Sequence, residues 1–93
     1  MSDANTHPFR PIVILRTPEI LKRRGRSRSS HYADIKNGLY VKPVQIGLRA
    51  VGIPEDEVDA LNAARIAGKT DDEIRALVLK LEAARKTVVQ GAR

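Results

Sequence analysis

The sequence predicts a mainly α-helical chain with a small β-hairpin: a winged helix-turn-helix followed by two further helices. Three observations lead there. Residues 16–38, RTPEILKRRGRSRSSHYADIKNG, read as two short helices pinched around a tight turn at Gly25-Arg26. Two short apolar runs around a glycine-containing turn follow directly, between Lys42 and Ile53. Finally, Pro54-Glu55-Asp56-Glu57 and Thr70-Asp71-Asp72-Glu73 are two helix starts, each heading an apolar pattern.

Taken in order, residues 1–11 are polar, aperiodic and read as a flexible tail. Ile12-Val13-Ile14-Leu15 is a β-branched run short enough for one strand, with the hairpin as its partner. Thr17-Pro18-Glu19 suits a helix start, with Thr17 as the cap, proline in the first turn and an acid at the positive end. Ile20 and Leu21 face inward, Lys22, Arg23 and Arg24 fill the last turn, and Gly25 ends the helix in a left-handed conformation. Ser27 caps the second helix, which runs to about Asn37 and stops at Gly38. Helical spacing puts Arg28, Ser29, Tyr32 and Lys36 on one solvent side and His31 with Ile35 on the side facing the first helix.

In the hairpin, Val44 and Ile46 alternate with Gln45, as a half-buried strand requires. Its tip carries Arg49, near Lys42 and Gln45. A third helix runs from Pro54 to Gly68 with Val58 and Leu61 inward. Thr70 and Glu73 have the spacing of a capping box. The fourth helix follows with Ile74, Leu77, Val78, Leu81, Ala84 and Val88 on one stripe, and Gln90–Arg93 fray. Residues 12–68 thus form the winged unit. Residues 69–93 form an amphipathic helix that either completes the core or offers Ile74, Leu77, Leu81, Ala84 and Val88, which also fit heptad spacing, as an interface.

Bulk composition narrows the classes. Ninety-three residues with one Phe, two Tyr and no Trp make one small domain whose core must come from Ile, Val, Leu and Ala. Without cysteine there is no disulfide framework or thiolate metal site, and the two histidines stand far apart, so neither metal nor cofactor is expected. No apolar run approaches the roughly 18–20 residues of a membrane span, and 12–15 is too brief for a signal-peptide core. A soluble cytoplasmic protein without membrane contact is the expectation.

Charge becomes informative once located. The chain carries +6 overall, and residues 16–49 hold nine basic and two acidic residues, whereas 50–93 hold seven and eight. The excess therefore lies on the helix-turn-helix and the hairpin, which points to a polyanion on one face. The second helix of such a unit normally enters the DNA major groove. There Ser27, Arg28, Ser29 and Ser30 would read base edges or anchor phosphate, and Tyr32 would pack on sugar or sit half-buried in the core. Lys36, Lys22, Arg23, Arg24 and Arg26 would hold the backbone, and Lys42, Gln45 and Arg49 would serve the wing.

The order RTPEI, GRSRSS-x-Y, NGLYVKPVQIGLRAVG and EDEV over residues 14–61 resembles the AlpA family of small prophage and mobile-element regulators, related to excisionases and to the winged domain of MerR-type proteins. The segment 68–85 is similar to tails of some members. The resemblance implies a winged helix-turn-helix that binds double-stranded DNA at a promoter or attachment site, as a transcriptional regulator or as an excisionase. A second copy, a site-specific recombinase or RNA polymerase would be its partner, and a bacterial nucleoid its place when bound. The family's helix start falls on Ser27–Ser30, its tyrosine on Tyr32, and its wing on Lys42, Pro43 and Val44. The chain departs from the pattern at His31, where isoleucine is usual, and at Gly52 and Leu61, where tryptophans are common. Losing both indoles thins the core, with the C-terminal helix as compensation. Charging of His31 in acid would loosen the helix packing.

Two other classes remain open on sequence grounds. A small basic RNA-binding protein would need stacking aromatics, and only Phe9, Tyr32 and Tyr40 are available. A protein-interaction adaptor would use the Ile74–Val88 face. An enzyme is not expected: the acids sit at helix starts, where capping explains them, and no nucleophile, base and orienting group assemble.

Overall fold

A computed structural model describes residues 12–91, with side chains from 12 to 87. The predicted tail, residues 1–11, and the last two residues lie outside the described residues, as does the side chain of Val88. Strand β1 (Ile14–Leu15) leads straight into α1 (Thr17–Arg24), and a turn of three residues leads to α2 (Arg28–Lys36). The hairpin strands β2 (Val44–Gln45) and β3 (Val51–Pro54) come next, then α3 (Glu55–Ile66) and α4 (Asp71–Gly91). The three strands form one antiparallel sheet in the order β1-β3-β2, so the N-terminal run pairs with the hairpin as expected.

Local chemistry explains most boundaries. Gly25 takes φ 67°, and its amide closes on the Leu21 carbonyl at 2.9 Å, ending α1 in the left-handed conformation that a side chain would oppose. The Ser27 hydroxyl accepts the Ser30 amide at 3.2 Å and caps α2. Thr70 and Glu73 exchange bonds reciprocally, each amide reaching the other's side chain, and this holds the Glu73 carboxyl below its usual pKa.

Two expected starts are corrected. Thr17 does not cap α1: Arg16, in extended conformation, occupies the cap position, and its carbonyl collects the amides of Glu19 and Ile20. Pro54 is the last residue of β3 and precedes α3 rather than opening it, while the Glu55 amide bonds the Val13 carbonyl and pins α3 to the sheet. At the other end, α4 continues through Gln90 to Gly91.

The core is aliphatic. Leu15, Ile20, Val41, Ile53, Val58, Leu61, Ala64, Ile74 and Val78 are buried, with Tyr40 as the aromatic among them. Ile74 and Val78 bring α4 onto α3, with Leu77 and Leu81 half-buried beside them, so this stripe completes the core. Ala84 stays exposed and borders an apolar groove with Ile12, Ile14, Val44 and Leu81.

The absent indoles leave less of a gap than the sequence suggests. Leu61 is fully buried in its place. Gly52 has no room for any side chain, since a Cβ there would come within 2.5 Å of the Ile14 Cγ2 and 2.8 Å of the Leu15 carbonyl oxygen. Ile14 thus closes over the middle strand and takes that space. Among the described residues no helix is long and apolar enough to cross a membrane.

Candidate nucleic-acid interface

Helix α2 splits by exposure along its length. His31 and Asp34 are buried and Ile35 half-buried, whereas Arg28, Ser29, Tyr32 and Lys36 are exposed together. Among the described residues neither Arg28 nor Lys36 joins an ion pair, so both charges stay available to an outside partner. Tyr32 is 47% exposed and touches His31 edge-on at 5.3 Å, which leaves the ring braced but accessible. Ser27 is committed to capping, and the half-buried Ser30 contributes its amide to that cap. Ser29 keeps a free-standing exposed position.

Behind this face lies a polar node. The Arg24 guanidinium donates from Nη1 to His31 Nδ1 at 2.8 Å and from Nη2 to Asp34 Oδ2 at 2.7 Å. Its central carbon stands 3.7 Å above the Tyr40 ring centroid, a cation–π geometry. Asp34 Oδ1 also accepts from Arg26 Nη2 at 3.1 Å. Burial, reinforced by the Arg24 charge, lowers the His31 pKa and favours the neutral ring. Because a guanidinium can only donate, Nδ1 is the acceptor and the proton sits on Nε2. His31 is therefore the α2 side of a bond network to α1. The Tyr40 hydroxyl, buried without a hydrogen-bond partner among the described residues, has its pKa pushed up to about 12 by desolvation.

This node corrects the expected set of backbone contacts. The Arg24 side chain is only 6% exposed and faces Asp34, so it supports the second helix instead of reaching outward. Arg23 is bound to Glu19 at 3.0 Å and Glu55 at 2.6 Å, tying α1 to α3, and these bonds raise its pKa further. Gln45 Nε2 donates to the Gly47 and Leu48 carbonyls at 3.2 and 3.3 Å, so its amide shapes the turn. Arg26 is half-exposed and shared with Asp34. Lys22, Lys42 and Arg49 are exposed, without an ion pair among the described residues. At the hairpin tip Leu48 is 91% exposed beside Arg49.

Sequence reasoning missed Asp34 and Tyr40. One signal was present: Asp34 is the single acid between Glu19 and Glu55, in an otherwise basic stretch. A lone carboxylate there is a natural partner for an arginine that turns inward. No group of three or more potential metal ligands exists among the described residues.

A family model described as the prophage CP4-57 regulatory protein (AlpA) matches residues 13–66, which runs from β1 through α3 and leaves α4 outside. No curated protein and no solved structure matches the chain.

Proposed function

Because the chain belongs to the AlpA family of prophage regulatory proteins, we propose that it binds duplex DNA sequence-specifically and without catalysis, as a regulator of a prophage or integrative element. The observation that carries this reading is the exposed face of α2: Arg28, Ser29, Tyr32 and Lys36 stand together, and neither cation is neutralised by a described residue. Helix α1 holds that face from behind, and a hairpin follows α2 after a short connector, the arrangement of a reading helix with a wing. In this reading Arg28 and Ser29 address base edges. Lys22, Arg26, Lys36, Lys42 and Arg49 hold phosphates, with Arg49 on the wing.

A unit this small reads few base pairs, so more than one copy would sit on the target. Regulation at a promoter and excision at an attachment site use the same contacts and differ in the arrangement of copies. A footprint of repeated direct half-sites beside an attachment site supports excision, with a recombinase as partner. A footprint confined to a promoter supports regulation through RNA polymerase.

The direct test is a salt titration of binding to a duplex selected from random sequences. With about five phosphates neutralised, log affinity should fall against log salt with a slope of about −4.5. A slope near zero would remove the proposal.

A further inference from the structure

Seven residues, 37–43, connect α2 to β2, and they belong to no helix or strand. Their backbone is held from outside by α4. Arg75 Nε donates to the Asn37 carbonyl at 3.0 Å, at the exit of α2. Glu82 Oε2 accepts the Lys42 amide at 2.8 Å, and Arg85 Nη2 donates to the Lys42 carbonyl at 2.8 Å, at the entrance to the wing. Arg85 is itself fixed on Glu57 of α3, with Nε and Nη2 reaching the carboxylate at 2.9 and 2.7 Å. Both ends of the connector are thus tied to one rigid helix that packs on the core through Ile74 and Val78.

We propose that α4 is a brace that sets the wing relative to the reading helix, with Glu82 and Arg75 as positioning residues for duplex binding. This rests on the DNA-binding reading above. The brace grips main-chain groups, so it constrains where Lys42 and the wing stand without using the side chains that would meet DNA. Tyr40 and Val41 anchor the middle of the connector in the core, so release from α4 frees Lys42 at its wing end. Lys42 would then have to be ordered at the moment of binding, and that cost would appear as lost affinity.

Glu82 permits a test in which electrostatics and positioning have opposite signs. Glu82→Ala and Glu82→Gln both remove one negative charge, which by charge alone tightens binding to a polyanion. The glutamine amide oxygen still accepts the Lys42 amide, and alanine offers nothing. The expected result is affinity about tenfold weaker for Glu82→Ala, the equivalent of one ordered residue, and near the original for Glu82→Gln. The salt slope should be the same in all three proteins, since no phosphate contact changes. In the free proteins, amide hydrogen exchange at Lys42 should quicken in the alanine variant alone, while thermal melts report whether the fold is intact.

Glu82→Ala binding as tightly as the unaltered chain, or tighter, overturns the brace. So does an equal loss in both variants with Lys42 exchange unchanged. If the unaltered chain itself shows no salt-dependent duplex binding, the DNA-binding reading fails and the positioning role falls with it. Tight binding by the unaltered chain together with tight binding by Glu82→Ala removes the brace alone.

Discussion

Asp34→Ala is the perturbation that most directly probes how α2 is held. The Asp34 and Arg24 side chains are 11% and 6% exposed, so water cannot readily replace either partner of their 2.7 Å pair. The substitution leaves the Arg24 guanidinium confined between the His31 ring and the Tyr40 face with no anion, and it also frees Arg26. Removing one member of a buried, hydrogen-bonded pair costs roughly 3–5 kcal/mol. A domain of this size is stable by about 5–15 kcal/mol in total, so the variant should be visibly crippled. At about 4–8 °C per kcal/mol, its melting midpoint should fall by at least about 12 °C. The control replaces both partners, as Arg24→Met with Asp34→Leu, and should recover part of the loss, because no charge is then stranded although the buried His31 Nδ1 loses its donor. A single variant melting within about 1 kcal/mol of the original, on the same scale, would refute this account of the node.

Two further predictions concern titration and recognition. His31 is neutral in the fold with a pKa below its ordinary 6.5, so below that value the unfolded chain binds the extra proton first. Stability should be complete above 6.5 and decline as pH falls from there through the lower folded pKa. Melts at descending pH should show this limb and a His31→Leu variant should lack it; an identical acid limb in both would exclude the histidine. On DNA, Arg28→Ala should cost roughly 1–3 kcal/mol on the preferred duplex and little on random sequence, whereas Lys36→Ala should weaken both and lower the salt slope by about one. Equal losses on both duplexes for Arg28→Ala would make it a phosphate contact.

Much of the fold was legible because its signals are local. Gly25, Ser27 and the Thr70–Glu73 box each act on a partner within four residues, so their chemistry can be read from adjacent letters. The hairpin followed from two short apolar runs around a glycine-containing turn, although the alternation expected there stops short, since Ile46 is exposed and lies beyond β2. The core followed from helical spacing. What sequence could not separate were residues of one type with different partners. Lys22, Arg23 and Arg24 are three successive cations, yet one points to solvent, one bridges to α3, and one is buried on Tyr40. Their fates depend on Glu55, Asp34 and Tyr40, which lie 10 to 32 residues away. The bonds from α4 to Asn37 and Lys42 span 38 to 43 residues and left no local trace. Gly52 is a related case, since the neighbour that excludes a side chain there comes from the other end of the winged unit.

The polar node also bears on the angular phase of α2 about its own axis. Helix α1 buries only Ile20, and the buried residues of α2 are His31 and Asp34. Two short helices meeting through apolar side chains alone could roll against each other at small cost, because such contacts have no preferred direction. The Arg24 fork has one, with its two nitrogens aimed at two different residues of α2 a turn apart. With side chains a helix is about 10–12 Å across, so a roll of about 20° would carry the Arg28 and Ser29 tips sideways by about 2 Å. That is enough to break a hydrogen bond to a base edge. Directional bonds at the back of α2 therefore fix which way its front faces, a precision that its thin apolar contacts could not supply.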